Sequence, residues 1–218
     1  MILYDYYRSS ASYRVRIAIH YKQLDCCFEQ VNLVDGSQSG PEFTDKNPQG
    51  LVPLLDDGGV LINQSQAIIE YLDEKYPDNP LVFGTAAEKA SIRAFTSEIA
   101  CDIHPLNNLR VLKYLKSDLE VTDQQKNDWY FEWLEKGFTS LERRAVAGPF
   151  CLGDRLSLAD CFLIPQMYNA YRFNFSMEKF PKLVSIYNHC LNQEYFIKAS
   201  PEERLKEIEN DQGAERGN

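Results

Sequence analysis

Two patterns of hydrophobic and polar residues divide the chain near residue 80. Before that point, short apolar runs between Gly, Pro, Asp and Asn residues predict four strands, at residues 2–7, 26–33, 51–55 and 60–63. Apolar residues at helical spacing predict two helices, one that starts at the serines of residues 9–12 and one at 65–75. The order βαβ followed by ββα predicts an α/β domain at residues 1–80.

Beyond a linker at residues 78–84, the strand signals stop. Helical spacing of apolar residues predicts further helices, at residues 88–114, 122–147, 157–171 and 182–191. We therefore expect an all-helical second domain at residues 85–210. The charged stretch that runs from Pro201 and ends in Gly and Asn is expected to be frayed or disordered.

Turn-forming residues add detail to the first domain. Asp56-Asp57-Gly58-Gly59 lies between two apolar runs and predicts a β-hairpin. Residues 35–48 are polar and rich in Gly and Pro, which predicts a loop or a short irregular helix. Pro53 is expected at a strand start or edge, because proline cannot donate to the strand ladder. Since only about 5% of X–Pro bonds in folded proteins are cis, the base rate favours a trans Val52–Pro53 bond.

Composition limits the class of protein. With 218 residues and 44% hydrophobic content, the chain can bury a sizeable core. A formal net charge of -9 argues against non-specific binding to nucleic acid, which needs a basic surface. We expect no membrane partner, because no apolar run is long enough to span a bilayer. We expect no signal peptide, because the N-terminus lacks a basic segment followed by a long apolar one.

Cysteine and histidine usage favours the cytoplasm and argues against a metal. The six cysteines include no C-x-x-C pair and most lie in apolar surroundings, so we expect reduced core thiols in a cytoplasmic protein. The three histidines show no metal-ligand spacing, and we predict no metal site.

A serine-rich, cationic segment follows the first predicted strand. Residues 9–12 contain three serines at the start of a helix, where side-chain oxygens cap backbone N–H groups. A helix N-terminus attracts anions, and Arg8, Arg14 and Arg16 add full positive charge beside it. In an acidic chain this arrangement indicates a small anionic ligand. The alternative is that the serines only cap the helix and the arginines are structural or surface charges.

Four segments resemble motifs of the zeta-class glutathione transferases. Residues 9–18 resemble the zeta active-site signature, 47–53 the loop before the family's cis-proline, 64–72 the γ-glutamyl motif for glutathione, and 103–109 a zeta segment at the start of the helical domain. The first and fourth segments together are specific to the zeta class, whereas the other two occur in many transferase classes. The signature has a cysteine at the position where this chain has Ala11.

The resemblance implies a thioredoxin-like N-terminal domain followed by an all-helical C-terminal domain, with glutathione as the cofactor and a homodimer as the assembly. It also implies glutathione-dependent cis–trans isomerisation of an acidic diketone. The leading substrate is maleylacetoacetate, which is converted to fumarylacetoacetate in tyrosine and phenylalanine catabolism. The alternatives are maleylpyruvate isomerisation, conjugation or dehalogenation of small electrophiles, and a non-enzymatic binding module of the same fold.

The matching motifs carry the family's site residues over to this chain. Ser9 is predicted to donate a hydrogen bond to the thiolate of glutathione, with Ser10 as the second candidate. For glutathione binding, the resemblance implies Gln38, Val52, Pro53, Gln64, Ser65, Asp102, His104 and Asn108. For the carboxylates of the substrate it implies Arg8, Arg14 and Arg172, because a guanidinium can bind a carboxylate through two hydrogen bonds.

Other polar residues are assigned to the fold. We expect Arg16 to have a structural role, and His104 has the alternative of being a satisfied core or interface histidine. Ser157 and Asp160 resemble the family's helix-capping pair, and the loss of an N-cap typically costs about 1 kcal/mol.

Overall fold

The computed structural model describes the backbone of residues 1–216 and the side chains of residues 1–210. Its contacts divide the chain into two compact units, one formed by residues 1–81 with residues 191–216, and one formed by residues 82–190. The first unit contains the sheet, and the second is built from helices and their connections. Residues 191–210, which the sequence prediction placed in the helical domain, group with the sheet.

A mixed four-stranded sheet forms the centre of the first unit. Its strands are β1 (Ile2–Asp5), β2 (Cys27–Gln30), β3 (Leu54–Asp57) and β4 (Val60–Asn63). They lie in the order β2-β1-β3-β4, with β1 parallel to β2 and antiparallel to β3. The four predicted strands and the hairpin are confirmed. The third strand begins after Pro53 rather than at residue 51, because the proline cannot donate to the ladder.

The helices of the first unit are α1 (Ser10–Tyr21), α2 (Pro41–Thr44), α3 (Ser65–Lys75), α9 (Glu194–Ala199) and α10 (Pro201–Arg216). Those of the second unit are α4 (Ala86–Ser97), α5 (Leu109–Ser117), α6 (Asp123–Arg144), α7 (Leu158–Arg172) and α8 (Pro181–Cys190). The helix predicted at 65–75 has those bounds in the structure. Its apolar face includes Ile68 and Leu72, which are fully buried.

Three local expectations are wrong. The helix predicted at 88–114 is interrupted: α4 continues into a π-helical turn at Glu98–Ile103, and α5 starts only at Leu109. Pro105 lies in the interruption, where its missing N–H and its ring disfavour a regular helix. The stretch from Pro201 forms α10 instead of fraying, although the last two residues of the chain lie outside the described part. The Val52–Pro53 bond is cis, as the resemblance implied and the base rate did not.

A buried ion pair explains why the C-terminal helices join the sheet. The guanidinium of Arg16 donates to Asp5 Oδ2 at 2.6 Å and to the carbonyl oxygen of Ala199 at 2.8 Å. Arg204 on α10 lies 3.5 Å from the other oxygen of Asp5 and donates to the carbonyl oxygen of Phe28 at 2.9 Å. The charged composition that predicted disorder therefore includes an arginine that anchors the helix.

Two further findings concern the whole described chain. All six cysteines lie within the described range and each is a free thiol, with Cys151, Cys161 and Cys190 buried. No described helix is long and apolar enough to cross a membrane.

The predicted capping pair is more deeply buried than an ordinary helix cap. Asp160 on α7 accepts hydrogen bonds from the backbone N–H and the hydroxyl of Ser157, at 2.9 and 3.0 Å, and from the N–H of Cys151 at 2.7 Å. Ser157 and Asp160 are both fully buried. Burial raises the pKa of Asp160, and the hydrogen bonds from Cys151 and Ser157 act against that rise. The carboxyl group thus joins α7 to the loop at Cys151.

We expect Asp160→Ala to lower the free energy of unfolding by about 3 kcal/mol or more, because each buried donor left unsatisfied costs about 1–3 kcal/mol. The matched control is Glu88→Ala. Glu88 accepts from the N–H and hydroxyl of Thr85 in the same way, at 2.7 and 2.8 Å, but in an exposed cap. Glu88→Ala should therefore lower the free energy of unfolding by only about 1 kcal/mol. Urea denaturation measures both, and equal losses would contradict the assignment.

Candidate active site

The first candidate residue lies in the turn between β1 and α1. Ser9 donates its backbone N–H to the carbonyl oxygen of Tyr6 at 2.8 Å, and its Oγ accepts from the N–H of Ser12 at 3.2 Å. Ser9 is therefore the N-cap of α1. A hydroxyl that accepts in this way still has its own hydrogen to donate. The capping role and the predicted thiolate-donor role are thus compatible in one side chain, at the positive end of a helix.

Ser10 and Arg8 flank this cap in different environments. Ser10 is the first residue of α1 and is only 6% exposed. Arg8 is exposed, donates to the hydroxyl of Tyr6 at 3.2 Å and lies 5.1 Å from the centre of the Tyr7 ring. The two tyrosines thus orient an exposed guanidinium one residue before Ser9, where it is accessible to an anionic ligand.

Arg14 lies deeper than its predicted role in substrate binding suggested. It is 2% exposed, and its Nη1 donates to the hydroxyl of Ser65 at 3.3 Å. Burial lowers the pKa of Arg14 to about 9, so the guanidinium stays charged at neutral pH. Ser65 is the first residue of α3. A full positive charge and a helix N-terminus therefore meet at Ser65, a combination that suits a carboxylate.

Gln64, directly before Ser65, has a strained backbone. Its φ of 66° and ψ of 112° lie where residues other than glycine are rarely found. Such conformations cost on the order of 1–3 kcal/mol and cluster at binding sites. The side-chain Nε2 of Gln64 donates to Gln49 Oε1 at 2.8 Å. This backbone conformation turns the chain sharply from β4 into α3, so that the N-terminus of α3 begins directly after Gln64.

Val52 and Gln38 offer polar groups suited to a peptide. Within residues 1–216, Val52 makes no backbone–backbone hydrogen bond. Its amide and carbonyl can therefore pair with an extended peptide laid beside the cis Pro53. Gln38 lies in a short 3₁₀ turn at Ser37–Ser39, and its Oε1 is buried with no hydrogen-bond partner among the described residues. A buried acceptor without a partner is costly unless a ligand supplies the donor.

Four predicted site residues belong to the second unit. Asp102 is exposed in the π-helical turn, and the N–H of His104 closes that turn on the carbonyl oxygen of Ile99 at 2.9 Å. Asn108 caps α5, where its Oδ1 accepts from the N–H of Arg110 at 3.0 Å. π-Helical turns occur frequently at functional sites, and the roles of Asp102 and His104 stay predictions.

Arg172 is the last residue of α7 and is exposed. Its guanidinium lies 5.2 Å from the ring centre of Phe173, and Phe173 stacks on Tyr130 with ring centres 4.2 Å apart. An aromatic pair therefore supports an accessible cation at this helix end.

Sequence reasoning missed two residues of the first unit, Asn47 and Gln49. Asn47 is 1% exposed although it lies in a loop, and Gln49 is the hydrogen-bond partner of Gln64. Both belong to the motif at 47–53, but the motif gives no information on which side chains turn inward. A buried asparagine in a loop is identified only once its partners are known.

Two family models and a curated protein match the chain. Residues 3–80 match the family described as glutathione S-transferase, N-terminal domain, and residues 123–190 match glutathione S-transferase, C-terminal domain. A Vibrio cholerae protein named probable maleylacetoacetate isomerase is 48% identical over 206 residues, which cover 93% of this chain and 96% of that protein.

Two solved structures are also similar. One is the holo structure of maleyl pyruvate isomerase, described as a bacterial glutathione S-transferase in the zeta class, with a TM-score of 0.91, 35% identity, and coverage of 93% of this chain and 98% of that one. The other is maleylacetoacetate isomerase from Methylobacterium extorquens AM1 with bound malonate and GSH, with a TM-score of 0.89, 31% identity, and coverage of 93% and 97%. The predicted fold class is confirmed.

The strain at Gln64 gives a stability prediction. Glycine adopts a positive φ without steric cost, so Gln64→Gly should have a free energy of unfolding about 1–2 kcal/mol higher than Gln64→Ala. Both variants lack the side chain, and they differ in how well they tolerate the backbone conformation. Urea denaturation of the two proteins tests this. An alanine variant as stable as the glycine variant would show that the backbone is not strained.

Proposed function

The chain belongs to the glutathione S-transferase family, and within it to the zeta class; on that basis we propose that it is a glutathione-dependent isomerase that converts maleylacetoacetate to fumarylacetoacetate. The observation that carries this proposal is the Ser9 hydroxyl, placed as the cap of α1 inside the zeta signature. The V. cholerae relative and the M. extorquens structure, whose names state this activity, support the choice of substrate.

The residues of the first unit fit glutathione at three points. Ser65, beside the charged Arg14, suits its γ-glutamyl carboxylate. The backbone of Val52 suits the cysteinyl peptide, and the buried Oε1 of Gln38 suits an amide N–H at the glycyl end. When bound, glutathione supplies a thiolate that adds reversibly to the activated double bond and so permits rotation. The resemblance also implies Asp102, His104 and Asn108 for glutathione binding, and these three residues belong to the second unit.

Ser9 has enough interaction energy available to hold a thiolate at neutral pH. A thiol has a pKa of about 8.5, and lowering it by ~2 units needs a preference for the anion of about 2.7 kcal/mol. One charge-assisted hydrogen bond supplies about 1.5–3 kcal/mol. The N-terminus of α1 adds up to about 2 kcal/mol. Ser9 and its helix therefore suffice without a cysteine or histidine base, and Ala11 does not prevent this step.

The exposed arginines are assigned to the acidic substrate. Arg8, one residue before Ser9, and Arg172, at the end of α7, are both accessible and can bind carboxylates through two hydrogen bonds. Arg14 was predicted for the same role, but its bond to Ser65 favours the glutathione carboxylate instead. Arg8 and Arg172 thus keep the role predicted for them, which is to bind a carboxylate of the substrate.

A second candidate function is isomerisation of maleylpyruvate, since the structure with a TM-score of 0.91 has that name. It uses the same cations and the same thiolate. Conjugation or dehalogenation of small electrophiles is the third candidate, favoured by Ala11 in place of the family cysteine. A binding module with no glutathione to hold would need the Ser9 hydroxyl only as a helix cap, and would not need the strained Gln64 beside Ser65.

The assembly and the location follow from the same family. We propose a cytoplasmic homodimer, with a glutathione-binding domain built on residues 1–80 and a substrate-binding domain that starts at residue 85 and ends with the second unit at residue 190. The six free cysteines agree with a reducing compartment. Val60 and Leu61, which are 52% and 44% exposed on the edge strand β4, provide apolar surface that a second copy could cover.

The function is tested by measuring turnover of maleylacetoacetate by the purified protein, with and without glutathione. We expect turnover only when glutathione is present. Maleylpyruvate and a chlorinated acid, assayed in parallel, separate the three reactions. Glutathione binding without turnover of maleylacetoacetate would exclude it as the substrate.

The role of Ser9 is tested with three variants that separate capping from donation. Ser9→Thr keeps both roles and should keep most of the activity. Ser9→Asp keeps the cap but loses the hydroxyl donor, so kcat/KM should fall by about 10- to 100-fold, which corresponds to the loss of a charge-assisted hydrogen bond. Ser9→Ala loses both and should also unfold more easily. Full activity in a folded Ser9→Asp protein would contradict the proposal. Ser10→Ala tests the second candidate, and a larger loss of activity there than in Ser9→Asp would assign the donor role to Ser10.

A further inference from the structure

Asn47 is a buried asparagine in the loop between α2 and β3. Its side chain is 1% exposed, whereas its neighbours Lys46, Pro48 and Gln49 are exposed. Its backbone N–H bonds to the carbonyl oxygen of Phe43 at 2.9 Å, which fixes it to the end of α2. The amide therefore points into the first unit from an otherwise solvated loop.

Within the described residues, the Asn47 amide is bonded in three directions. Its Nδ2 donates to the carbonyl oxygen of Leu51 at 2.7 Å. Its Oδ1 accepts from the backbone N–H of Gln49 at 3.3 Å and from the Nδ2 of Asn63 at 3.2 Å. Leu51 directly precedes Val52, and Asn63 directly precedes Gln64. One side chain thus connects the two segments proposed to bind the cysteinyl and γ-glutamyl parts of glutathione.

The three bonds explain why this position requires an amide. The contact to Leu51 requires a donor, and the contacts to Gln49 and Asn63 require an acceptor with two lone pairs. Aspartate keeps the acceptor but places a charged oxygen against the carbonyl oxygen of Leu51. Leucine or alanine offers neither group and leaves buried partners unsatisfied. A purely space-filling role would not have this requirement.

We propose that Asn47 is a positioning residue that sets the distance between the Val52 backbone and the Gln64–Ser65 turn. Asn47 bonds to neither of these segments directly but holds the residue that precedes each one. A tripeptide that bonds to both segments needs their spacing to be fixed before it binds. The inference rests on the proposed function, because glutathione is the ligand that would contact both segments.

The test compares Asn47→Asp and Asn47→Ala with wild type by titration calorimetry with glutathione and by steady-state kinetics. We expect the Kd and the KM for glutathione to rise about tenfold, the effect of one unsatisfied buried group on a binding geometry. The kcat at saturating glutathione should stay within about threefold of wild type, because the Ser9 hydroxyl is untouched. Asp160→Ala, which destabilises the second unit, is the control for stability and should keep the wild-type Kd.

A second variant keeps the proposal testable if Asn47→Asp fails to fold. Asn63→Ala removes one of the three bonds and leaves the Leu51 contact in place, and it should raise the Kd by about threefold or more. Wild-type affinity in a folded Asn47→Asp or Asn63→Ala protein overturns the proposal, as does an equal rise in Asp160→Ala. Absence of glutathione binding by the wild type is a different result, which would overturn the proposed function itself.

Discussion

The buried ion pair between Asp5 and Arg16 fixes the segment on which the rest of the first unit depends. Asp5 ends β1, Arg16 lies within α1, and the two are 0% and 1% exposed. The same guanidinium donates to the carbonyl oxygen of Tyr7 at 2.9 Å, so it also holds the turn that leads to Ser9. Breaking a buried pair of this kind typically costs about 3–5 kcal/mol, because the remaining charge is left without compensation. The candidate thiolate donor thus follows a turn that the guanidinium of a buried ion pair holds in place.

Around that fixed turn, the candidate glutathione site is built from positions that local structure disfavours. Gln64 has a positive φ, and Asn47 buries an amide beneath a solvated loop. Each feature is costly by itself and persists because neighbouring bonds compensate for it. Arg14 follows the same rule, since it buries a cation beside a helix N-terminus where a carboxylate can bind. These features lower the stability of the fold at the residues that we propose bind glutathione.

Sequence patterns predicted the strands and most helices, because the spacing of apolar residues in each element matches the face that is buried in the structure. The family motifs also indicated the turn at Ser9 and the start of α3. What they missed depends on contacts between distant residues. The stretch from Pro201 is helical rather than disordered because Arg204 contacts Phe28 and Asp5, which are distant in sequence and come close only in the folded chain. The inward amide of Asn47 and the burial of Arg14 could not be predicted from sequence for the same reason.

The first unit is discontinuous along the chain, and this affects the order in which a newly made molecule can fold. Arg16 and the carbonyl oxygen of Ala199 are 183 positions apart in sequence. At about 5–20 residues per second, on the order of 10–40 seconds of translation separate the two. During that time all of residues 82–190 emerges and can pack locally. The first unit, whose sheet emerges first, is therefore completed last, when α9 and α10 cover the Asp5–Arg16 pair.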